Sequence, residues 1–119
     1  MLKIRCRRSG IQYLIDSGSA ISILPVMKNA KSKDKVDGCV YAANKTKILT
    51  YGSKNAVLDL GLDKLFVFDF VLADIDVAIL GTDFLSKFGI CIDIRNRRIF
   101  NKNSSAFSKI DHSDKIYNI

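Results

Sequence analysis

The chain has 119 residues, which suits a single domain, and its hydrophobic content of 48% excludes a chain that is disordered throughout. Lysine and arginine number 19 against 12 acidic residues, all of them aspartate, so the net charge is +7. Such a chain attracts nucleic acid or acidic partners, but the basic residues are spread along the sequence without the interleaved aromatic residues of a recognisable RNA- or DNA-binding motif. We interpret the charge as a solvated surface and do not expect this domain itself to bind nucleic acid.

The apolar runs and the cysteines indicate the cellular compartment in which the protein is expected to reside. No apolar run reaches the roughly 20 residues that span a bilayer, and the longest, residues 65–73, is broken by Asp69. Arg5, Arg7 and Arg8 interrupt any apolar core of a signal peptide near the N-terminus. The three cysteines are widely spaced and form no C-x-x-C motif, which argues against a disulfide framework or a zinc site. We therefore expect a protein that is not secreted and does not bind a membrane, with no metal site and no cofactor.

In chain order, the sequence begins with short strands separated by turn signals. Alternation of apolar and polar residues predicts strands over residues 2–6 and 11–15, which a Ser-Gly turn joins into a hairpin. A buried apolar run over residues 21–24 follows and ends at Pro25, the only proline.

Residues 28–38 are rich in lysine and poor in apolar residues, which predicts an exposed loop. A hairpin with strands over residues 39–43 and 46–51 follows, and Gly52 is predicted to end its second strand. Few large apolar side chains lie near the tip of this hairpin. It is therefore either a mobile lid or an ordinary surface hairpin, and the residues by themselves favour the surface hairpin.

The second half of the sequence predicts more strands and one helix. The strands are predicted over residues 56–60, 65–72, 77–80, 90–94 and 98–100. The helix has Thr82 or Asp83 as its N-cap and ends at Gly89. Residues 104–119 are polar and have no clear period, so we expect a tail or linker after a domain over residues 1–103. Many short strands with a single brief helix predict an all-β domain.

One stretch, residues 13–25, places a single carboxylate between two apolar runs. Asp16 ends the first run, and the small residues Ser17, Gly18 and Ser19 follow it. Their hydroxyl and backbone N–H groups can hold a charge that is costly to bury unpaired. A surface turn is the alternative, but it would not explain why the chain returns at once to an apolar run. We predict that Asp16 lies at the floor of a cleft, where an acid–base carboxylate belongs.

The residue types leave carboxylate chemistry as the candidate reaction. The only histidine, His112, lies in the predicted tail, which argues against Ser-His-Asp, Cys-His and zinc sites. Hydrolysis by activated water needs two carboxylates, one ionised and one protonated. No other aspartate repeats the sequence pattern around Asp16, and a symmetric dimer would bring two copies of Asp16 together. If the sequence predicts catalysis at all, it predicts a catalytic homodimer.

Three segments occur in a fixed order along the chain: Leu-Ile-Asp-Ser-Gly-Ser over residues 14–19, residues 41–52, and Ala-Ile-Leu-Gly-Thr-Asp over residues 78–83. They resemble the active-site segment, the flap region and the second signature of retropepsin-like aspartic proteases of the gypsy-type LTR retrotransposon group. Residues 90–99 resemble the end of that domain, so the resemblance covers about residues 2–100. It implies a small closed acid-protease barrel with one short C-terminal helix, forming half of the site of a homodimer. It also implies a location in the cytoplasm or within retroelement particles.

The resemblance implies roles for individual residues. Asp16 of each subunit would be the catalytic residue, one polarising the attacking water and the other protonating the scissile carbonyl oxygen or the leaving amine. In the active-site loop, Ser17 would hydrogen-bond across the dimer axis, Gly18 would allow a tight turn, and Ser19 would hydrogen-bond Asp16. The second signature comprises Ile79, Leu80 and Gly81, and the substrate-binding flap comprises Ala42, Ala43, Asn44, Lys45, Thr46 and Ile48.

Three functions compete at this point. The first is a homodimeric aspartic endopeptidase that cleaves extended peptide segments, with a retroelement polyprotein as the expected substrate. The second is a catalytically silent retropepsin-like dimerisation or interaction domain derived from a retrotransposon, against which the intact Asp-Ser-Gly sequence argues. The third and weakest is nucleic-acid binding through the basic residues at 5–8 and 95–102, which would be steeply salt-dependent.

Overall fold

The structure, a computed structural model, describes residues 1–27, 35–102 and 104–112. Residues 28–34 of the predicted loop, Asn103, and residues 113–119 of the predicted tail lie outside the described residues. The described chain forms eleven strands and one helix. In chain order they are β1 (Leu2–Arg5), β2 (Gln12–Ile15), β3 (Ile23–Pro25), β4 (Gly38–Tyr41), β5 (Lys47–Leu58), β6 (Phe66–Ala73), β7 (Ala78–Leu80), α1 (Thr82–Lys87), β8 (Ile90–Asp93), β9 (Arg98–Asn101), β10 (Phe107–Lys109) and β11 (Asp111–His112).

The strands form two sheets, and neither is closed. Eight strands pair in the order β11-β1-β2-β7-β3-β6-β5-β4, and three pair in the order β10-β9-β8. In the larger sheet the outer strands β11 and β4 each have one neighbour and do not meet. The expected closed barrel is therefore not found among the described residues. The mostly-β composition and the single short helix are confirmed.

The centre of the larger sheet explains how distant segments meet. Strand β7 lies between β2, to which it is parallel, and β3, to which it is antiparallel. Ile15 pairs with Leu80, and Ile23 pairs with Ile79. The seven residues between β2 and β3 must therefore cross from one side of β7 to the other. This crossing carries Asp16 and ends next to the start of α1.

The main core lies under these central strands and is built from aromatic and branched side chains. Phe66, Phe70 and Phe84 are fully buried, and the rings of Phe66 and Phe84 are 5.8 Å apart in an edge-to-face arrangement. The ring of Tyr13 lies 5.7 Å from that of Phe70. Burial, with a contribution from the charge of Cys6, raises the pKa of Tyr13 to about 12, so its hydroxyl stays neutral. Helix α1 is thus fixed to the sheet mainly through Phe84 and its ring neighbours.

Strand β5 corrects the prediction that Gly52 ends a strand. The strand runs through this residue, and its register against β6 shifts between Thr50 and Ser53. Gly52 has a φ of +83°, a conformation that glycine adopts readily, and it lies at this irregularity. The second strand of the β4–β5 hairpin therefore extends beyond the hairpin and, with 12 residues, is the longest described strand.

The predicted tail also differs from the structure in the part that is described. Strand β10 pairs with β9, and β11 pairs with β1 through Leu2 with His112 and Lys3 with Asp111. Ile110, between the two strands, is 5% exposed and belongs to the main core. These strands have three and two residues, which is too short for an alternating pattern to be read from sequence.

Candidate active site

The loop that follows β2 holds Asp16 by backbone contacts. The backbone N–H of Asp16 donates to the carbonyl oxygen of Leu80 at 3.0 Å, which extends the β2–β7 pairing by one residue. The N–H of Gly18 donates to Oδ1 of Asp16 at 2.9 Å, and the N–H of Ser19 donates to its carbonyl oxygen at 3.1 Å. The half-buried carboxylate is therefore oriented by a tight turn of the kind that aspartate favours. The hydroxyl of Ser19 donates to the carbonyl oxygen of Ile21 at 2.8 Å, a different partner from the predicted Asp16.

Gly81 lies directly beneath this loop. A Cβ on Gly81 would be 2.7 Å from the carbonyl oxygen of Ser19 and 2.8 Å from the carbonyl carbon and oxygen of Ile21. All three are backbone atoms, so a side chain at this position has no space. The N–H of Thr82 also donates to the carbonyl oxygen of Ser19 at 2.8 Å. The second predicted signature, Ile79 to Gly81, thus forms a buried support under the Asp16 loop.

A serine and an aspartate lock the far end of the loop to the helix. The hydroxyl of Ser22, which is 1% exposed, donates to Oδ1 of Asp83 at 2.6 Å, and its N–H donates to Oδ2 at 3.1 Å. The same hydroxyl accepts the N–H of Gly81 at 2.8 Å, and Asp83 accepts the N–H of Phe84 at 2.7 Å. The prediction of Thr82 or Asp83 as N-cap is therefore wrong, because Gly81 is the N-cap residue and the Asp83 carboxylate binds Ser22.

The β4–β5 hairpin, which the sequence resemblance predicts to be the flap, has hydrogen bonds at its tip and at its base. At the tip, the N–H of Ala42 donates to the carbonyl oxygen of Thr46 at 3.0 Å, and Lys45 has a φ of 67°. At the base, the hydroxyl of Thr50 donates to Oδ1 of Asp37 at 2.6 Å. That hydroxyl, followed by the N–H of Gly52, lowers the pKa of the Asp37 carboxyl.

A cavity of about 600 Å³ separates the hairpin from the Asp16 loop. Asp16, Gly18, Ser19, Ala42, Ala43 and Ile48 are the predicted site residues that line it. Ser17 is exposed beside the cavity, and Asn44, Lys45 and Thr46 lie exposed at the hairpin tip, outside the lining. The structure therefore brings the predicted catalytic residue and part of the predicted flap to one space, with the second signature buried below it.

The sequence missed most of the apolar lining and the lock at the end of the loop. Ile21, Ile23 and Val40 line the cavity beside the predicted residues, together with Met1, Ala20 and Tyr41. The sequence did not indicate that Ser22 and Asp83 contact each other. A serine inside an otherwise apolar run was the one signal of a buried polar contact, because a buried hydroxyl requires a hydrogen-bond partner.

The electrostatics of the cavity are simple. Asp16 is the only acidic side chain among the described residues that line it. Within residues 1–27, 35–102 and 104–112, no three His, Cys or Asp side chains are grouped closely enough to hold a metal ion. The same part of the chain contains no helix of the length and apolarity that a membrane crossing requires. The described part of a single chain therefore contributes one carboxylate, that of Asp16, to the cavity below the β4–β5 hairpin.

Comparison with solved structures shows which fold the chain adopts. The sequence matches no protein-family model and no curated protein. The structure is similar to the retroviral protease-like domain of Ddi1 from Leishmania major, with a TM-score of 0.66, 17% identity and 98% of both chains covered. It is also similar to the EIAV protease complexed with the inhibitor HBY-793, with a TM-score of 0.55, 18% identity, and 77% of this chain and 89% of that chain covered.

The chain has the retropepsin fold. Both likenesses fall below 25% identity, so they establish the fold, while the gypsy-type retrotransposon origin stays a prediction. The resemblance found in the sequence and the likeness found in the structure point to the same retropepsin architecture. The predicted roles of Asp16 and of the flap are taken up below as proposals.

Proposed function

We propose that this protein is an aspartic endopeptidase that works as a homodimer. The observation that carries the proposal is the position of Asp16, half-buried, held by the N–H of Gly18, and facing a cavity under a hairpin. Aspartic peptide hydrolysis needs a second carboxylate, and among the described residues no other acidic side chain lines this cavity. A second copy of Asp16, related by a two-fold axis, would supply it. Ser17, Gly18 and Ala20 are exposed in the single chain, which leaves this surface open to a partner.

The two Asp16 side chains would divide the chemistry between them. The ionised carboxylate takes a proton from water as the water oxygen attacks the scissile carbonyl carbon. The protonated carboxyl gives its proton to the carbonyl oxygen, which forms a tetrahedral diol. When the carbon–nitrogen bond breaks, the protonated carboxyl gives its proton to the leaving amine and the other carboxylate takes a proton from a hydroxyl of the diol, so the pair returns to one shared proton. Two close carboxylates favour this state because both cannot ionise easily at short distance.

The substrate that fits the cavity is an extended peptide. Ala42, Ala43 and Ile48 of the hairpin and Ile21 and Ile23 of the floor form an apolar lining on either side of Asp16. An extended chain placed between them would bury alternate side chains and hydrogen-bond through its backbone. A polyprotein of the parent retroelement is the substrate that the sequence resemblance suggests.

Hydrolysis of a peptide library by wild type and by Asp16→Asn tests the proposal. The assay is run at high protein concentration, so that a weak dimer assembles. Asp76→Asn is the matched control, because it removes an exposed carboxylate outside the cavity. We expect wild type and the control to cleave the library and a statine-type peptide to inhibit this cleavage. We expect no cleavage by Asp16→Asn. Equal cleavage by all three proteins would refute the proposal.

The cleavage assay, together with sedimentation, distinguishes a peptidase from the alternative of a catalytically silent interaction domain. Sedimentation of the wild-type protein reports whether it dimerises, independently of cleavage. A dimer that cleaves no member of the library would favour the dimerisation or interaction domain. A monomer at all concentrations would contradict both functions, because each requires two copies.

A further inference from the structure

A second cavity, of about 620 Å³, lies at the end of the larger sheet away from Asp16. Among the described residues, none lines both this cavity and the one under the β4–β5 hairpin. Strand β2 separates the two places, because Gln12, its first residue, lines the second cavity, whereas Asp16 follows its last residue. The volume is in the range of sites that hold small molecules. Peptide hydrolysis at Asp16 makes no use of this cavity.

The floor of the second cavity is an edge of the main core. Leu24 and Ala78, which line the cavity, are buried members of that core, and Leu72 of β6 lines the cavity and packs against the core. All but three of the described residues that line the cavity are apolar. A ligand in the second cavity would therefore contact the same apolar side chains that hold the two faces of the domain together.

Two exposed apolar side chains line the cavity beside this buried floor. Ile11 is 41% exposed and Met27 is 69% exposed. Exposed apolar side chains that flank one concave site indicate a ligand that removes them from water. The unbranched side chain of Met27 can also adapt to the shape of a bound molecule. The apolar part of the ligand is therefore expected to lie between these two residues.

The surroundings of the second cavity favour an alkyl chain over a peptide. A peptide backbone carries N–H and C=O groups that need partners when they leave water, and an alkyl chain carries none. Strands β2, β7, β3 and β6 each pair with a neighbour on both sides in the larger sheet, so none of them offers an open edge to a peptide strand. Pro25 has no N–H, and Gln12 has the one uncharged polar side chain among the described residues of the lining.

The lining of the second cavity carries one charge of each sign. Lys54 of β5 pairs with the core residue Phe70, so its side chain leaves the sheet on the core side, and Asp76 lies in the turn between β6 and β7. Both side chains are exposed, and neither forms an ion pair within the described part of the chain. A head group with a single charge would be attracted by one of them and repelled by the other. A head group that carries both charges is complementary to the pair.

We propose that the second cavity binds a single-chain amphiphile whose head group carries one charge of each sign. The alkyl chain lies on the floor formed by Leu24, Leu72 and Ala78. The head group stays in water, beside Lys54 and Asp76. The ligand is a free molecule and not part of a bilayer, because two exposed apolar side chains bury too little area to hold a domain on a membrane. This proposal does not depend on catalysis by Asp16, and each can fail without the other.

Isothermal titration calorimetry of the full chain with alkylphosphocholines tests the proposal. Octyl-, decyl- and dodecylphosphocholine are each titrated below the concentration at which they form micelles. We expect one ligand per chain and an affinity that rises roughly 15-fold for every two methylenes that the cavity buries. An affinity that does not depend on chain length would overturn the proposal, because the alkyl chain would then lie outside the cavity.

A pair of double variants tests whether the second cavity is the site. Ile11→Ser with Met27→Ser removes the two exposed apolar side chains of the lining, and we expect dodecylphosphocholine to bind about 10- to 100-fold more weakly. Leu65→Ser with Val67→Ser is the matched control, because these side chains are 49% and 51% exposed and do not line the cavity. The control should bind as wild type does. Equal losses in the two variants would overturn the proposal, and circular dichroism confirms that each variant is folded.

The head group is tested with other molecules that carry the same alkyl chain. Laurate and dodecyltrimethylammonium have one charge each, and we expect both to bind about three- to fivefold more weakly than dodecylphosphocholine, the size of an exposed ion pair. Lys54→Gln should remove the advantage of dodecylphosphocholine over dodecyltrimethylammonium. If either singly charged molecule bound wild type as tightly as dodecylphosphocholine, the head group proposed here would be wrong.

Competition and sedimentation distinguish the other possible ligands. Displacement of dodecylphosphocholine by an equal concentration of the peptide Asp-Leu-Ile-Leu-Lys would overturn the proposal in favour of a protein partner. Sedimentation of the protein with phosphatidylcholine vesicles would overturn it in favour of a membrane surface. Asp16→Asn should bind dodecylphosphocholine as wild type does, so a failure of the peptidase proposal would leave this result unchanged.

Discussion

Replacing Gly81 by alanine tests whether the Asp16 loop rests on α1 and β7 as the structure shows. The backbone of Gly81 has a φ of −94° and a ψ of −174°, which any residue adopts, so the substitution carries no conformational penalty. The cost is steric. A Cβ would lie 2.7–2.8 Å from three backbone atoms of Ser19 and Ile21, where ordinary contact begins at 3.4 Å. The loop would have to retreat by about 0.6–0.7 Å.

The magnitude follows from these contacts. Overpacking of this kind costs about 1–3 kcal/mol. The retreat also stretches the bond from the Thr82 N–H to Ser19 and the bond from the Gly81 N–H to Ser22, each of which contributes about 1 kcal/mol. We expect the free energy of unfolding to fall by about 2–4 kcal/mol in total. For a domain of this size, the melting temperature should fall by roughly 10 °C.

Urea and thermal unfolding of Gly81→Ala, beside Gly38→Ala, measure the effect. Gly38 is the matched control, because its Cβ would meet only the Thr50 hydroxyl at 3.5 Å, an ordinary contact, and its φ is not in the left-handed region. That variant should unfold within about 0.5 kcal/mol of wild type. If Gly81→Ala were no less stable than Gly38→Ala, the loop would not be supported by Gly81. If the protein is a peptidase, Gly81→Ala should also lose cleavage, because the loop that moves carries Asp16.

Three further predictions use the same unfolding measurements. Asp83→Asn should lower the free energy of unfolding by about 1–3 kcal/mol, because the amide would present N–H donors to the Ser22 N–H; an unchanged value would contradict this. Ile110→Ala should cost about 2–4 kcal/mol, because it removes a core side chain; if Ile110→Ala were as stable as wild type, Ile110 would not belong to the core. Since hydrogen bonds lower the pKa of Asp37 in the folded state, its contribution is complete above about pH 4 and is lost as the pH falls through the lowered pKa. The stability difference between wild type and Asp37→Asn should therefore shrink between about pH 6 and pH 3, and an equal difference at both values would exclude this carboxylate as its source.

The elements that the sequence predicted well are those whose signals are local. The first hairpin, the strand β6 and the helix after Gly81 follow from alternation, β-branched and aromatic content, and a short apolar stripe. The tight turn at Asp16 follows from its small polar neighbours. Each of these features depends on residues that are close together in the chain, so the local sequence pattern predicts it.

The features that the sequence did not predict depend on contacts between distant residues. Ser22 and Asp83 are 61 positions apart, and nothing in either local sequence names the other as its partner. Gly52 interrupts the alternation as a strand end would, and only its pairing with β6 shows that the strand continues through an irregularity.

The pairing of β1 with β11 has a consequence for the order in which the domain assembles. Among the residues that the structure describes, it joins opposite ends of the chain through two residue pairs, Leu2 with His112 and Lys3 with Asp111. Closing so long a loop is entropically expensive, and so small a contact cannot offset that expense before the intervening strands are in place. This edge of the sheet should therefore form last during folding. It should also be the first to fray in the native state, where amide protons exchange earliest.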